Sequence, residues 1–250
     1  MPFVAHKRRR LAAADWVSLM HYFVLLLPVF LPVVFWAAYH MHADRHLPEP
    51  ATHLLLAFAL GVGSFFLGML LYRGLGYLGL RFDAFDLAQG NLPGLFLFAV
   101  LGIGLIEEGV KLIPFLAVVL RFREFDEPMD GIVYASFIAL GFAAVENLHY
   151  LQFLTTGAAY ARGFAGPVVH IVFASIWGYY IGRAWLRQSR VIPTAVAALA
   201  FTALIHGIYD FAVIGLPQPG MAFAAFLIAG LWIWRLVLIR DLHARYKHPS

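Results

Sequence analysis

The chain has 250 residues, of which 62% are apolar, 16% aromatic and only 13% charged, and its mean hydropathy is +0.79; these values exclude an ordinary soluble domain and define a polytopic membrane protein. It contains no cysteine, which excludes a disulfide framework, thiolate catalysis and Cys-ligated zinc or iron–sulfur centres, so any metal must be held by His and carboxylates. The formal net charge of +4 comes from Lys and Arg clustered at segment ends, a pattern of membrane orientation and anionic-lipid contact rather than of nucleic-acid binding.

The N-terminal stretch MPFVAHKRRRLAAADW has a basic cluster, then a long apolar run without a small-residue cleavage site. It reads as a start-transfer anchor that stays in the protein. A span needs about 20 predominantly apolar residues, and on that measure helices are predicted near 16–39, 51–72, 91–120, 130–154, 165–187, 192–213 and 217–239. The fold expected is an all-α polytopic transmembrane bundle of about seven to eight membrane helices, with residues 1–250 forming one integral membrane domain and no internal repeat. The linker RGLGYLGLRFDAFDLAQG, 73–90, alternates Gly, aromatic and charged residues and suits the membrane interface.

Seven straight crossings starting from the cytoplasm would leave more Lys and Arg outside than inside, against the positive-inside rule. A broken or re-entrant element at 91–120, where Gly94, Gly102, Gly104, Gly109 and Pro114 fall, would gather most of these charges in the cytoplasm together with both termini. Broken backbone at membrane depth is tolerated where it lines a polar cavity. The expectation is therefore a chain with both ends on the cytoplasmic side of the inner or plasma membrane.

A charge at the bilayer centre costs about 2.5–3.5 kcal/mol on insertion scales. The residues that run this risk are few: Glu107, Glu108 and Lys111 in IEEGVK, Glu146 with Asn147 in GFAAVENLHY, His170 in PVVHIVF, and His206 with Asp210 in LIHGIYDF. Glu107 and Lys111 share a helix face at i,i+4, as do His206 and Asp210, and Phe142 stands at the same offset from Glu146. The Glu107–Lys111 pair alone is accounted for by a self-neutralising ion pair. Acids and histidines on four separate apolar helices are not, whereas one shared polar cavity satisfies them together. The remaining polar groups have blander readings. His21, His40, His42, His46, His53 and His149 read as interface residues, Asp15, Asp83 and Asp86 as solvated, and Arg183 and Arg187 as snorkelling end-caps.

The strings IEEGVK, EPMDGIVYASFIALGFAAVENLHYL, PVVHIVFASIWGYYIGRA and LIHGIYDF, in that order over 91–213, resemble the PrsW family of intramembrane proteases. The layout is also similar to the superfamily of type II CAAX prenyl endopeptidases and CPBP proteins, with two departures: Glu146 stands where that superfamily has His, and Asp210 where it has Asn. The resemblance implies an endopeptidase that cleaves membrane-anchored proteins such as anti-sigma factors, with lipid as its surroundings, and it makes 91–213 the catalytic helices and metal dependence an expectation.

The residues themselves suit hydrolysis. Ser136 and Ser175 lack a partner base and read as helix serines bonded to their own backbone, so water is the nucleophile. Two activations are compatible with the inventory. In one, Glu146, His170 and His206 hold zinc, with Asp210 as an alternative carboxylate, while Glu107 or Glu108 takes the proton from water. In the other no metal takes part, a buried Glu is the base, and the histidines with Asn147 stabilise the oxyanion. The expected catalytic set is thus Glu107, Glu108, Glu146, His170, His206 and Asp210, supported by Lys111, Phe142 and Asn147. Buried carboxylates also make ion pathways, so a proton- or ion-coupled transporter is the competing class.

Overall fold

The computed structural model describes residues 26–80 and 82–247. The expected N-terminal anchor, Asp15, His21 and the first part of the helix expected at 16–39 lie outside these residues. Within them the helices are α1 (Leu26–Ala43), α2 (Ala51–Tyr77), α3 (Ala84–Gly90), α4 (Leu92–Leu97), α5 (Leu105–Ala117), α6 (Pro128–Tyr150), α7 (Thr156–Leu186), α8 (Val191–Gly215) and α9 (Pro217–Lys247). No strand occurs among the described residues.

Six of these helices, α1, α2, α6, α7, α8 and α9, have the length and apolarity of a membrane span. The seventh expected span, 91–120, is built differently. It is α4 and α5 joined by a π-helical segment, Phe98–Gly104, and it ends at Ala117 before a single 3₁₀ turn. The expected break is therefore present as a local widening of the helix, but it does not turn the chain back. Phe82 packs on Phe98, Tyr72 meets Glu107, Ser64 donates to the Val110 carbonyl, and His53 stacks on Phe122. Tyr72, Ser64 and His53 follow one another down α2 as their partners climb the sequence from 107 to 122, so the segment runs antiparallel to α2 and passes from one end of the bundle to the other. The re-entrant reading is corrected accordingly: Pro28 at the start of α1 lies beside Gly163, and His243 near the end of α9 beside His46, at opposite ends.

Local chemistry explains where the elements start. Asn91 caps α4 by accepting from the Gly94 N–H, and Thr155 caps α7 from Ala158. At α6 the Glu127 side chain accepts from the backbone of Asp130 and the Asp130 side chain accepts from that of Glu127, with Pro128 at the first helical turn. The helix expected at 165–187 begins nine residues earlier, at Thr156. Pro167 and its neighbouring glycines look like a start signal, yet the structure keeps Pro167 inside the helix.

α6 is the central post. In the apolar window of this span 89% of residues are buried, against 17% for α9, which faces outward. The α6–α7 crossing is close because Gly131 and Gly178 each lie against the other's carbonyl, leaving no room for a Cβ. Gly104 of the π segment lies against the Ala203 carbonyl and Gly207 of α8 against the Val100 Cα, again without room for a Cβ. One interface assignment fails here: His40 is fully buried and bonds through Nδ1 to the Trp36 carbonyl at 2.6 Å. Its neighbours, including Phe137, come from helices that the local pattern around His40 does not reveal.

Since the chain has no native cysteine, accessibility labelling gives a direct check. Cysteines at Gln188 and His46 should react with an impermeant maleimide from one side of the membrane, and a cysteine at Gly157 from the other. Labelling of 157 and 188 from the same side would contradict the antiparallel packing of α6, α7 and α8.

Candidate active site

Glu107 and Glu108 open α5 directly after the π segment, and the segment's contact with α8 brings them to His206. Glu108 is fully buried. Its Oε1 accepts from the Lys111 ammonium at 2.6 Å and from His206 Nδ1 at 2.9 Å, and its Oε2 accepts from Trp177 Nε1 at 3.0 Å. Three donors from α5, α7 and α8 thus compensate one carboxylate at the centre of the bundle. The expected Glu107–Lys111 pair is corrected to Glu108–Lys111, at i,i+3. Helix spacing permits both, and the inward direction of Glu108 toward Trp177 and His206 decides between them.

Glu107 has no comparable commitment. Its Oε1 lies 3.5 Å from the Tyr72 hydroxyl, while its buried Oε2 has no hydrogen-bond partner and stands 3.9 Å from His206 Nε2. Asp210 Oδ2, also without a hydrogen-bond partner, is 3.4 Å from the same Nε2. Across the cluster, His170 Nδ1 is 3.1 Å from Lys111 Nζ, and its Nε2 donates to Glu146 Oε2 at 2.9 Å. Glu146 Oε1 accepts from Arg162 at 3.0 Å, and the Arg162 guanidinium lies over the Tyr150 ring. The His170 and His206 ring centroids are 5.6 Å apart, and Phe142 packs between Lys111 and His170.

Four helices, α5, α6, α7 and α8, therefore bring Glu107, Glu108, Lys111, Glu146, His170, His206 and Asp210 into one cluster. Asn147 does not join it through any hydrogen bond: it rests near Gly166 of α7 with both amide atoms unpartnered. Three participants are invisible to the sequence reading. Tyr72 and Trp177 pass as ordinary apolar-helix aromatics, and Arg162 reads as a loop residue because the start of α7 is misplaced. The charge inventory held the one available signal, since three site acids, Glu108, Glu146 and Asp210, had no cation assigned to them.

A cleft of about 270 Å³ between α2, the π segment and α6 reaches this cluster, lined by Tyr72, Phe82, Phe98, Phe142, Glu107 and Glu146. Glu108 does not line it. The two adjacent glutamates are thus sorted by surroundings, one facing the cleft and one sealed behind it.

The donor set suits a metal. Ligand atoms of Glu107, His170 and His206 lie within 4.8 Å of one another, and this trio contains Glu107 in place of the expected Glu146, which is occupied by His170 and Arg162. Donation from His206 Nδ1 to Glu108, the usual carboxylate–histidine support of a metal ligand, leaves Nε2 as the ligating atom, 3.4 Å from Asp210 and 3.9 Å from Glu107. His170 needs a rearrangement to ligate, because its Nε2 donates to Glu146. Among the described residues four carboxylates face only two fixed cations, Lys111 and Arg162, a shortage of positive charge that a divalent ion would fill.

A helical membrane bundle with a buried acid–histidine cluster of this kind belongs to the class of intramembrane hydrolases. Residues 49–239 match the model of the PrsW family intramembrane metalloproteases, and the chain belongs to that family. It is 35% identical to Protease PrsW of Oceanobacillus iheyensis over 155 residues, covering 61% of this chain and 71% of that one. It is 29% identical to Protease PrsW of Clostridioides difficile over 232 residues, covering 90% and 92%, and 31% identical to that of Bacillus subtilis over 191 residues, covering 72% and 78%. No solved structure matches. The chain is an integral membrane protease, and the transporter alternative loses its support.

The Lys111 network makes a thermodynamic prediction. Lys111→Met should lower stability by about 3–5 kcal/mol, because it leaves Glu108 buried without its cation. Adding Glu108→Gln should recover much of that loss, and adding Glu107→Gln should not. Thermal unfolding of the two double variants distinguishes them, and equal recovery would contradict the pairing.

Proposed function

We propose that this protease hydrolyses peptide bonds of membrane-anchored protein substrates, of the single-pass anti-sigma-factor kind, at Glu107, and that zinc is the metal held by Glu107, His170 and His206. The observation that carries the reading is the unpartnered Glu107 Oε2 at the floor of the cleft, beside His206 Nε2. Zinc held by these two imidazoles and one carboxylate would supply Lewis acidity and an acidified water.

The chain's own groups have the following roles. Glu107, one of the three groups that would hold the metal, faces the cleft with the Tyr72 hydroxyl 3.5 Å from its Oε1, which places the attacking water where a peptide enters. Glu108 fixes the tautomer and direction of His206 through Nδ1, and Asp210 stands 3.4 Å from Nε2 on the other side of that ring. Lys111 anchors Glu108 and His170 together. Arg162 holds Glu146 in place as the acceptor for His170. The apolar walls of the cleft, Phe82, Phe98 and Phe142, exclude bulk water and suit an unwound apolar peptide.

The end of the bundle that carries Arg45, Arg121, Arg123, Arg187 and Arg190 together with the C-terminal end of α9 is assigned to the cytoplasm of the plasma membrane, on the positive-inside rule.

The full chain, purified in detergent and given a membrane-anchored peptide, should cleave it. A chelator should abolish cleavage, zinc should restore it, and His206→Ala should lose it by about 10²-fold or more while remaining folded. Cleavage that survives complete removal of metal would overturn the zinc assignment, and a folded protein that cleaves no membrane-anchored peptide would overturn the substrate class.

A further inference from the structure

A second cluster of acids lies far from the catalytic one, where the turn after α1 meets the start of α6 and the end of α9. Asp44 is only 3% exposed and Asp130 only 1% exposed, and Glu49 and Glu127 adjoin them. One oxygen each from Asp44, Glu127 and Asp130 lies within 4.8 Å of the others. Such crowding of buried like charges is unfavourable without a compensating group.

Backbone contacts compensate only part of it. Asp130 Oδ2 accepts the N–H groups of Asp126 and Glu127, both at 2.8 Å, and Asp44 Oδ2 accepts that of Glu49 at 3.1 Å. Glu49 accepts the Tyr134 hydroxyl. Asp44 Oδ1, however, is buried with no hydrogen-bond partner. Among the described residues no Lys or Arg forms an ion pair with any of the four acids. A void of about 10 Å³, lined by Asp44 and Glu127 with Met129, His46 and His243 around it, has the size of one water-sized sphere. Burial pushes Asp44 up to about 7 against the N–H of Glu49, with the charges of Asp130 and Glu127 adding to it. Burial, then Asp130 and Asp126, raises Glu127 to about 7 as well.

We propose that Asp44, Glu127 and Asp130 form a binding site for a hard divalent cation, of the Mg²⁺ or Ca²⁺ class, separate from the catalytic centre. The three nearest ligands are all carboxylate oxygens, which favours these ions over zinc. The unsatisfied Asp44 Oδ1 is the feature that calls for a ligand, since nothing else on the described chain reaches it. Occupancy would clamp the α1–α2 turn to the first turn of α6, the helix that carries Glu146 at its other end.

The test is thermal unfolding of the metal-stripped full chain in detergent, titrated with MgCl₂ or CaCl₂, for the unmodified protein and for Asp44→Asn, Glu127→Gln and Glu107→Gln. A saturable rise of several degrees in Tm is expected for the unmodified protein and for Glu107→Gln, with the rise lost in Asp44→Asn and weakened in Glu127→Gln. Glu127 is half-exposed, so its variant keeps the test valid if Asp44→Asn does not fold. No rise in the unmodified protein, meaning a protonated and ion-free cluster, would overturn the proposal. So would a rise that persists in both cluster variants.

Discussion

The constraint on which the structure depends is the burial of the Glu108 carboxylate in an apolar bundle. An ionised carboxylate without partners is unsustainable there, and Glu108 has three donors, on α5, α7 and α8. The requirement ties those helices into one relative position. His206 cannot rotate without releasing Glu108, Lys111 cannot withdraw without exposing it, and Trp177 closes the side away from the cleft. The remaining site groups inherit their places from this arrangement: His170 is set by Lys111, Glu146 by His170 and Arg162, and Asp210 by His206.

The same constraint frees Glu107. Adjacent helix residues point about 100° apart, so when Glu108 faces inward its neighbour must face elsewhere. The π segment before them and the Gly104–Gly207 contact with α8 place that other direction at the floor of the cleft. A pair of glutamates that looks redundant in the sequence is thereby divided into one that holds the bundle and one that faces the cleft.

Much of this was legible in the sequence, for a physical reason. Charged residues are so unfavourable inside apolar helices that Glu107, Glu108, Lys111, Glu146, His170, His206 and Asp210 stand out, and the need to satisfy them predicts a common cavity. What spacing could not decide was partnership. Lys111 has a glutamate at both i−4 and i−3, and only Trp177 and His206, 66 and 95 positions away in the chain, select Glu108. The start of α7 was hidden by Pro167, which usually marks a helix start, and with it the role of Arg162. The direction of 91–120 was hidden as well. Glycines signal a break in a helix but not whether the chain continues beyond it, and the contacts of Glu107, Val110 and Phe122 along α2 settle that it does.

The division of labour between the two glutamates is tested most directly by measuring cleavage rate and thermal stability side by side for Glu107→Gln and Glu108→Gln. The account predicts that Glu107→Gln abolishes cleavage with stability equal to or above that of the unmodified protein, because an unpartnered buried carboxylate is removed. Glu108→Gln should lower stability markedly, because the Lys111 ammonium loses its counter-charge. Full activity in Glu107→Gln, or a Glu108→Gln protein as stable as the unmodified one, would contradict it.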